Sequence, residues 1–142
     1  MSLRASAAVA VALLAAACET LPVETRPPAE LDWDAHSAVG VIEILTHDSD
    51  GDLRQTKVWF VRVDEQTYLR TSNSRWLANI RRDPQATVRV EGVDYPQLAE
   101  LVEDPATWQA VEDASNQKYG FQNRFIRTFR IRQPDILRLR AR

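Results

Sequence analysis

Between Arg54 and Val63 the chain alternates with a period of two: Lys57, Trp59, Val61 and Val63 fall on one face, Thr56, Val58, Phe60 and Arg62 on the other. That period belongs to an extended strand. Its neighbours extend the pattern into hairpins. Val39 to Leu45 is a β-branched, apolar run interrupted by Gly40 and Glu43, and Asp48-Ser49-Asp50-Gly51-Asp52 between the two runs has the composition of a turn. On the other side, Asp64-Glu65-Gln66 connects to Thr67–Thr71, which completes a second hairpin.

Ser72-Asn73-Ser74 supplies side chains that can cap a helix, and a short helix carrying Trp76, Leu77 and Ile80 then stops at Asp83-Pro84. Thr87 to Val90 is a further strand. Gly92-Val93-Asp94 reads as a turn, and Tyr95 to Val102 as a strand broken by Pro96 or left as an irregular edge. Asp104-Pro105 opens the best-marked helix, with an acid at the cap and proline at the first position, and Gly120 is expected to close it. In Thr128 to Ile131 and Ile136 to Leu139 apolar residues alternate with Arg130, Arg132, Arg138 and Arg140. Five or six short strands in mostly hairpin order with two helices predict an α+β domain built on a small antiparallel barrel.

The N-terminus obeys different rules. Arg4 precedes an Ala/Val/Leu run from Ala5 to Ala17, too short to span a bilayer, that stops at the only cysteine, Cys18. Leu14-Ala15-Ala16-Ala17-Cys18 resembles the lipobox of bacterial lipoproteins, with Ala15 where that family usually has leucine. The resemblance implies a signal peptide over residues 1–17 and a lipidated Cys18 as the mature N-terminus, anchored in the membrane. With no second cysteine, an intrachain disulfide is excluded, and lipidation accounts for a thiol that would otherwise stand unexplained. Glu19 follows Cys18, where such families often use Asp to signal inner-membrane retention, so the expected location is the bacterial envelope, on the outer membrane facing the periplasm. Residues 18–31 are rich in proline and polar groups and read as a tether, leaving residues 32–142 for a single domain.

Charge is unevenly placed. From Glu19 to Asp52 there are nine acids and one arginine, and from Arg124 to Arg142 seven arginines and one acid. Arginine outnumbers lysine sixteen to two along the whole chain, a habit that spreads it over every solvent face, and no nucleic-acid partner is expected outside the cytoplasm.

The order Arg54-Gln-Thr-Lys57-Val-Trp59, hairpin, Tyr68-Leu-Arg70-Thr71-Ser72, Arg75-Trp76-Leu-Ala-Asn79 and Asp83-Pro84-Gln-Ala-Thr-Val-Arg-Val is similar to the split-barrel class that includes pyridoxamine phosphate oxidases and deazaflavin-dependent nitroreductases. The resemblance covers about a third of the chain. It implies a small antiparallel split β-barrel with two helices, a homodimer, and FMN, a deazaflavin or another small phosphorylated ligand as the bound group. Arg54, Lys57 and Trp59 would then approach the cofactor from the second strand, Arg70, Thr71 and Ser72 would bind its phosphate, and Trp76 and Asn79 would border the pocket. Hydroxyls, a guanidinium and the free N–H groups of a helix start make an anion site without a glycine-rich loop. Asp50-Gly51-Asp52-Leu53-Arg54 stands where deazaflavin members usually carry Gly-Arg-x-x-Gly.

The same residues also fit a plainer reading, in which Trp59 and Trp76 are core aromatics, Ser72 and Ser74 are caps and the arginines are solvated. The acids Asp48, Asp50 and Asp52 lack the glycine and glutamate positions of a calcium loop, and His36 and His47 have no third ligand at metal spacing, so no metal is expected. No Gly-x-Ser-x-Gly elbow is present. Two functions of different class follow: an anchored split barrel binding a flavin-like or other phosphorylated ligand in a redox role, or a cofactor-free barrel lipoprotein acting as a binding or structural module. Mass spectrometry of membrane-extracted protein should find a lipidated Cys18 as the first residue. A soluble product with an unmodified Cys18 would contradict the lipoprotein reading.

Overall fold

The computed structural model describes residues 30–128 and 133–142. The expected signal segment, Cys18 and nearly all of the expected tether lie outside the described residues. Six strands and two helices follow in the order β1 (Val41–His47), β2 (Leu53–Val63), β3 (Gln66–Thr71), α1 (Arg75–Arg82), β4 (Gln85–Val90), β5 (Val93–Leu101), α2 (Pro105–Thr128) and β6 (Asp135–Ala141). Every strand pair is antiparallel, and the sheet closes as β1-β2-β3-β6-β5-β4, with β1 pairing β4 through Ile44↔Val88. This is the small antiparallel α+β barrel that the strand order predicts and the split barrel that the resemblance implies. Among the described residues no helix is long and apolar enough to cross a membrane.

The two faces of β2 have separate duties. Val58 and Phe60 join Ile42, Ile44, Leu69, Val88, Leu137 and others in one buried cluster, to which α1 adds Trp76, Leu77 and Ile80. Val61 belongs to a second cluster with Tyr68, Ile136 and Val111, where α2 covers the outer face of β2, β3 and β6. Leu31, the last residue of the expected tether, is also buried in the first cluster, so packing starts there. Burying an aliphatic side chain of this size contributes about 1.5–3 kcal/mol, so the two clusters are the main support of the domain.

Local chemistry explains the joints. The β1–β2 turn closes with the Asp48 N–H donating to the Asp52 carbonyl at 2.9 Å, and Gly51 takes φ +90°, which glycine adopts without strain. Asp64-Glu65 and Glu91-Gly92 form two-residue hairpin loops with positive φ throughout, the twist that antiparallel neighbours require. The second loop lies earlier than the sequence indicates: Val93 and Asp94 already belong to β5. Pro96 does not break β5 either. It pairs with Thr87 of β4, while the β5–β6 ladder starts only at Gln97↔Ala141, so no hydrogen bond to β6 is forfeited by the missing N–H.

At α1 the cap is Ser74, whose hydroxyl accepts from the Leu77 N–H at 3.3 Å. Asp104 caps α2 by accepting from the Thr107 N–H at 2.8 Å. Gly120 does not close α2. It sits at φ 49°, ψ −120°, kinks the helix, and the helix resumes to Thr128, because glycine can hold that conformation inside a helical run. Of the arginine-rich end, Ile136 to Leu139 lies in β6, Thr128 ends α2, and residues 129–131 lie outside the described residues.

A polar clamp ties α1 to the β1–β2 hairpin. Asp48 accepts from Arg54 Nε at 2.8 Å and Nη2 at 2.5 Å and from Asn79 Nδ2 at 2.7 Å. Asn79 donates as well to Thr46 Oγ1 at 3.0 Å, and Arg82 reaches both the Asn79 Oδ1 and the His47 carbonyl. The Arg54 bond first and the Asn79 bond second hold the Asp48 carboxyl well below the usual carboxylate range. A carboxylate depressed by folding adds stability above its unfolded value of about 3.9, and that stability is lost as pH falls toward the folded value. Asp94, Glu100 and Asp104 shift in the same direction. The urea midpoint should therefore fall as pH drops below about 4, and Asp48→Asn should lower the midpoint at neutral pH and make the acid limb shallower. An acid limb identical in both proteins would contradict the clamp.

Candidate functional site

The outer face of β2 and β3 presents Trp59, Val61, Tyr68 and Arg70 to α2. Alternation along each strand puts them on one side, and i, i+3, i+7 spacing puts Glu112, Ser115 and Tyr119 on one face of the helix. Arg70 Nε meets Glu112 Oε1 at 2.6 Å, with the two side chains only 9% and 4% exposed. Such a pair is an anchor: either charge left alone in this setting would be costly.

One and two turns further along, α2 meets the place where β1 and β2 part. Their ladder ends at Val41↔Trp59. Just beyond, the Tyr119 hydroxyl accepts from the Phe60 N–H at 3.1 Å and lies 2.7 Å from the Phe60 carbonyl and 2.9 Å from that of Gly40, to one of which it donates. The Tyr119 ring stacks on Trp59 at 4.5 Å between centroids and 10° between planes. Beside it Lys118 Nζ donates to the Val39 and Phe60 carbonyls and stands 3.6 Å from the Phe60 ring centroid. Burial pushes the Lys118 ammonium below its ordinary value. It also raises the Tyr119 phenol, partly countered by the Phe60 bond and the nearby Arg70 charge.

Between these elements and the start of α1 is a cleft of about 250 Å³. Of the residues expected to bind a ligand, Lys57, Trp59, Arg70, Thr71 and Trp76 line it. Lys57 is exposed at the surface, whereas Trp76 is 3% exposed and also belongs to the core. Thr71 Oγ1 lies 2.7 Å from Ser74 Oγ, so this hydroxyl also steadies the helix cap.

Arg54, Ser72 and Asn79 do not line it. Arg54 and Asn79 are committed to Asp48, and Ser72 is exposed. Ser115 and Tyr119 line the cleft, with Glu112 behind them through Arg70. None of the three stands out in the sequence, because a helix with several polar stripes does not declare which one turns inward. Among the described residues no group of three or more His, Cys, Asp or Glu side chains could hold a metal ion. His36 instead pairs with Glu91 at 2.8 Å.

Several solved structures share this architecture. The heme storage protein HutZ from Vibrio cholerae has a TM-score of 0.63 at 16% identity, over 78% of this chain and 87% of that one. An F420-H2 dependent reductase, FDR-A, has a TM-score of 0.58 at 14% identity, over 72% and 95%. A protein described as a putative pyridoxamine 5′-phosphate oxidase from Listeria innocua has a TM-score of 0.56 at 13% identity, over 76% and 88%. At these identities the likeness shows the fold, which is the split barrel. No curated protein is matched by the chain in sequence. Residues 34–135 match the model of the family described as an uncharacterized protein conserved in bacteria, DUF2255, and the chain belongs to that family.

Proposed function

We propose that this chain is a ligand-binding split barrel whose cleft beneath α2 takes a flavin-like molecule, a planar ring with an anionic tail such as FMN or a deazaflavin. The observation that carries the reading is the meeting of Lys57, Trp59, Arg70, Thr71 and Trp76 on one cleft with Tyr68 and Tyr119 among its walls. Aromatic walls suit a flat ring. An exposed ammonium at Lys57 suits a tail that stays partly in water.

Proteins of this fold are named for heme storage, for an F420-H2 dependent reduction and for a pyridoxamine phosphate oxidase. The lining of this cleft favours the flavin-like group. Haem iron takes a His, Cys, Met or Tyr ligand. Neither His36 nor His47 lines the cleft, and of its two tyrosines Tyr119 is already engaged with the backbone of Phe60 and Gly40, which leaves Tyr68 alone as a ligand. A bound flavin would supply the electron or hydride chemistry, and Lys57, Trp59 and Tyr119 would position it.

In the cell this barrel would be held to the outer membrane by a lipid on Cys18, facing the periplasm. A second copy would add apolar cover where Val41, 46% exposed, shares a surface groove with Lys57. One observation favours the cofactor-free module instead: Arg70, expected to hold phosphate, is paired with Glu112.

Tryptophan fluorescence during FMN titration tests the proposal, because Trp59 and Trp76 both line the cleft. Saturable quenching is expected. Lys57→Ala should weaken FMN about three- to fivefold, the size of an exposed ionic contact, and leave lumiflavin, which lacks the phosphate, unchanged. A wild-type protein whose fluorescence changes with neither flavin would overturn the flavin-like reading, and no affinity for phosphate either would leave the cofactor-free module.

A further inference from the structure

Ser115 is fully buried, and among the described residues its hydroxyl has no hydrogen-bond partner, although the residue lines the cleft. A helical serine can usually return its hydroxyl to a carbonyl one turn back. Here it does not, and a buried hydroxyl left unmade is destabilising. Ser115 follows Glu112 by three residues and precedes Tyr119 by four, so all three share the stripe of α2 that faces β2 and β3. The rest of the lining sets Val58, Val61, Tyr68 and Trp76 beside the polar Lys57, Arg70 and Thr71, of which Arg70 is paired with Glu112 and Thr71 with Ser74. Lys57, the exposed cation, lies on β2 and not on this stripe.

We infer that Ser115 is the specificity-determining residue of the cleft, reading a hydrogen-bonding edge on the ring of the ligand while Lys57 meets the tail. The inference rests on the flavin-like reading and narrows it. The ligand is a heteroaromatic ring whose edge carries carbonyl or imide groups, as an isoalloxazine does, and a flat hydrocarbon ring of equal size is excluded. A hydroxyl can both donate and accept, so either kind of edge atom satisfies it. Discrimination of this type is strong because a ligand without the edge leaves the serine unpaired.

The test compares wild type, Ser115→Ala and Lys57→Ala in the purified full chain, with FMN, lumiflavin and inorganic phosphate as probes. Ser115→Ala should weaken FMN and lumiflavin by the same factor, about three- to tenfold for one hydrogen bond, with phosphate unaffected. In the ligand-free protein the same variant should melt at or above the wild-type temperature, because an unpartnered hydroxyl is removed from a buried place. A serine with a purely structural role would lower the melting temperature and leave lumiflavin affinity alone, and that result overturns the inference. Equal flavin affinity in wild type and Ser115→Ala overturns it too, while the flavin reading stands. Absence of flavin binding in the wild type removes both.

Discussion

The ion pair between Arg70 and Glu112 is the contact on which the arrangement of the molecule depends. Two opposite charges, each less than a tenth exposed, meet at 2.6 Å between the middle of the barrel wall and the covering helix. Taking them out of water is expensive, and their attraction offsets that only while the geometry is kept. The pair therefore sets the rotation and the axial position of α2. With Glu112 over Arg70, Ser115 reaches the cleft and Tyr119 comes to the split between β1 and β2. Shifted by one residue, the helix would present a different stripe, and the hydroxyl that satisfies Phe60 would be lost.

Much of the barrel was legible because strand alternation is local. The two faces of β2 could be read from Lys57 to Val63, and each contributes to a buried cluster, Phe60 within the barrel and Val61 beneath α2. Asp104 and Pro105 mark the start of α2 through chemistry confined to one turn. Gly120 misled because its freedom permits a kink as readily as an end. Pro96 left a break and an edge both open, because whether a proline breaks a strand depends on how far the neighbouring strand reaches: β5 runs through it where β6 does not pair.

The candidate site was legible on the strands and hidden on the helix. Lys57, Trp59, Arg70, Thr71 and Trp76 lie in a continuous run of chain and meet in one cleft. Arg54 and Asn79 belong to the same run, yet they turn to Asp48, an acid whose nearness depends on how the β1–β2 turn folds back. Glu112 lies 42 residues from Arg70 in sequence, and no local rule joins them. The fold alone does not choose a ligand. The aromatic walls, the exposed lysine and the unpartnered Ser115 hydroxyl of this cleft carry the proposal of a flavin-like molecule.

A double-mutant cycle on the ion pair tests the account most directly. Urea unfolding would be followed for Arg70→Met, Glu112→Leu and the two combined. Each single change should cost about 3–5 kcal/mol by stranding a buried charge, and the double variant should return to within about 1 kcal/mol of wild type. Single variants that each cost less than about 1 kcal/mol, or costs that simply add in the double variant, would show that α2 is positioned by something other than this pair.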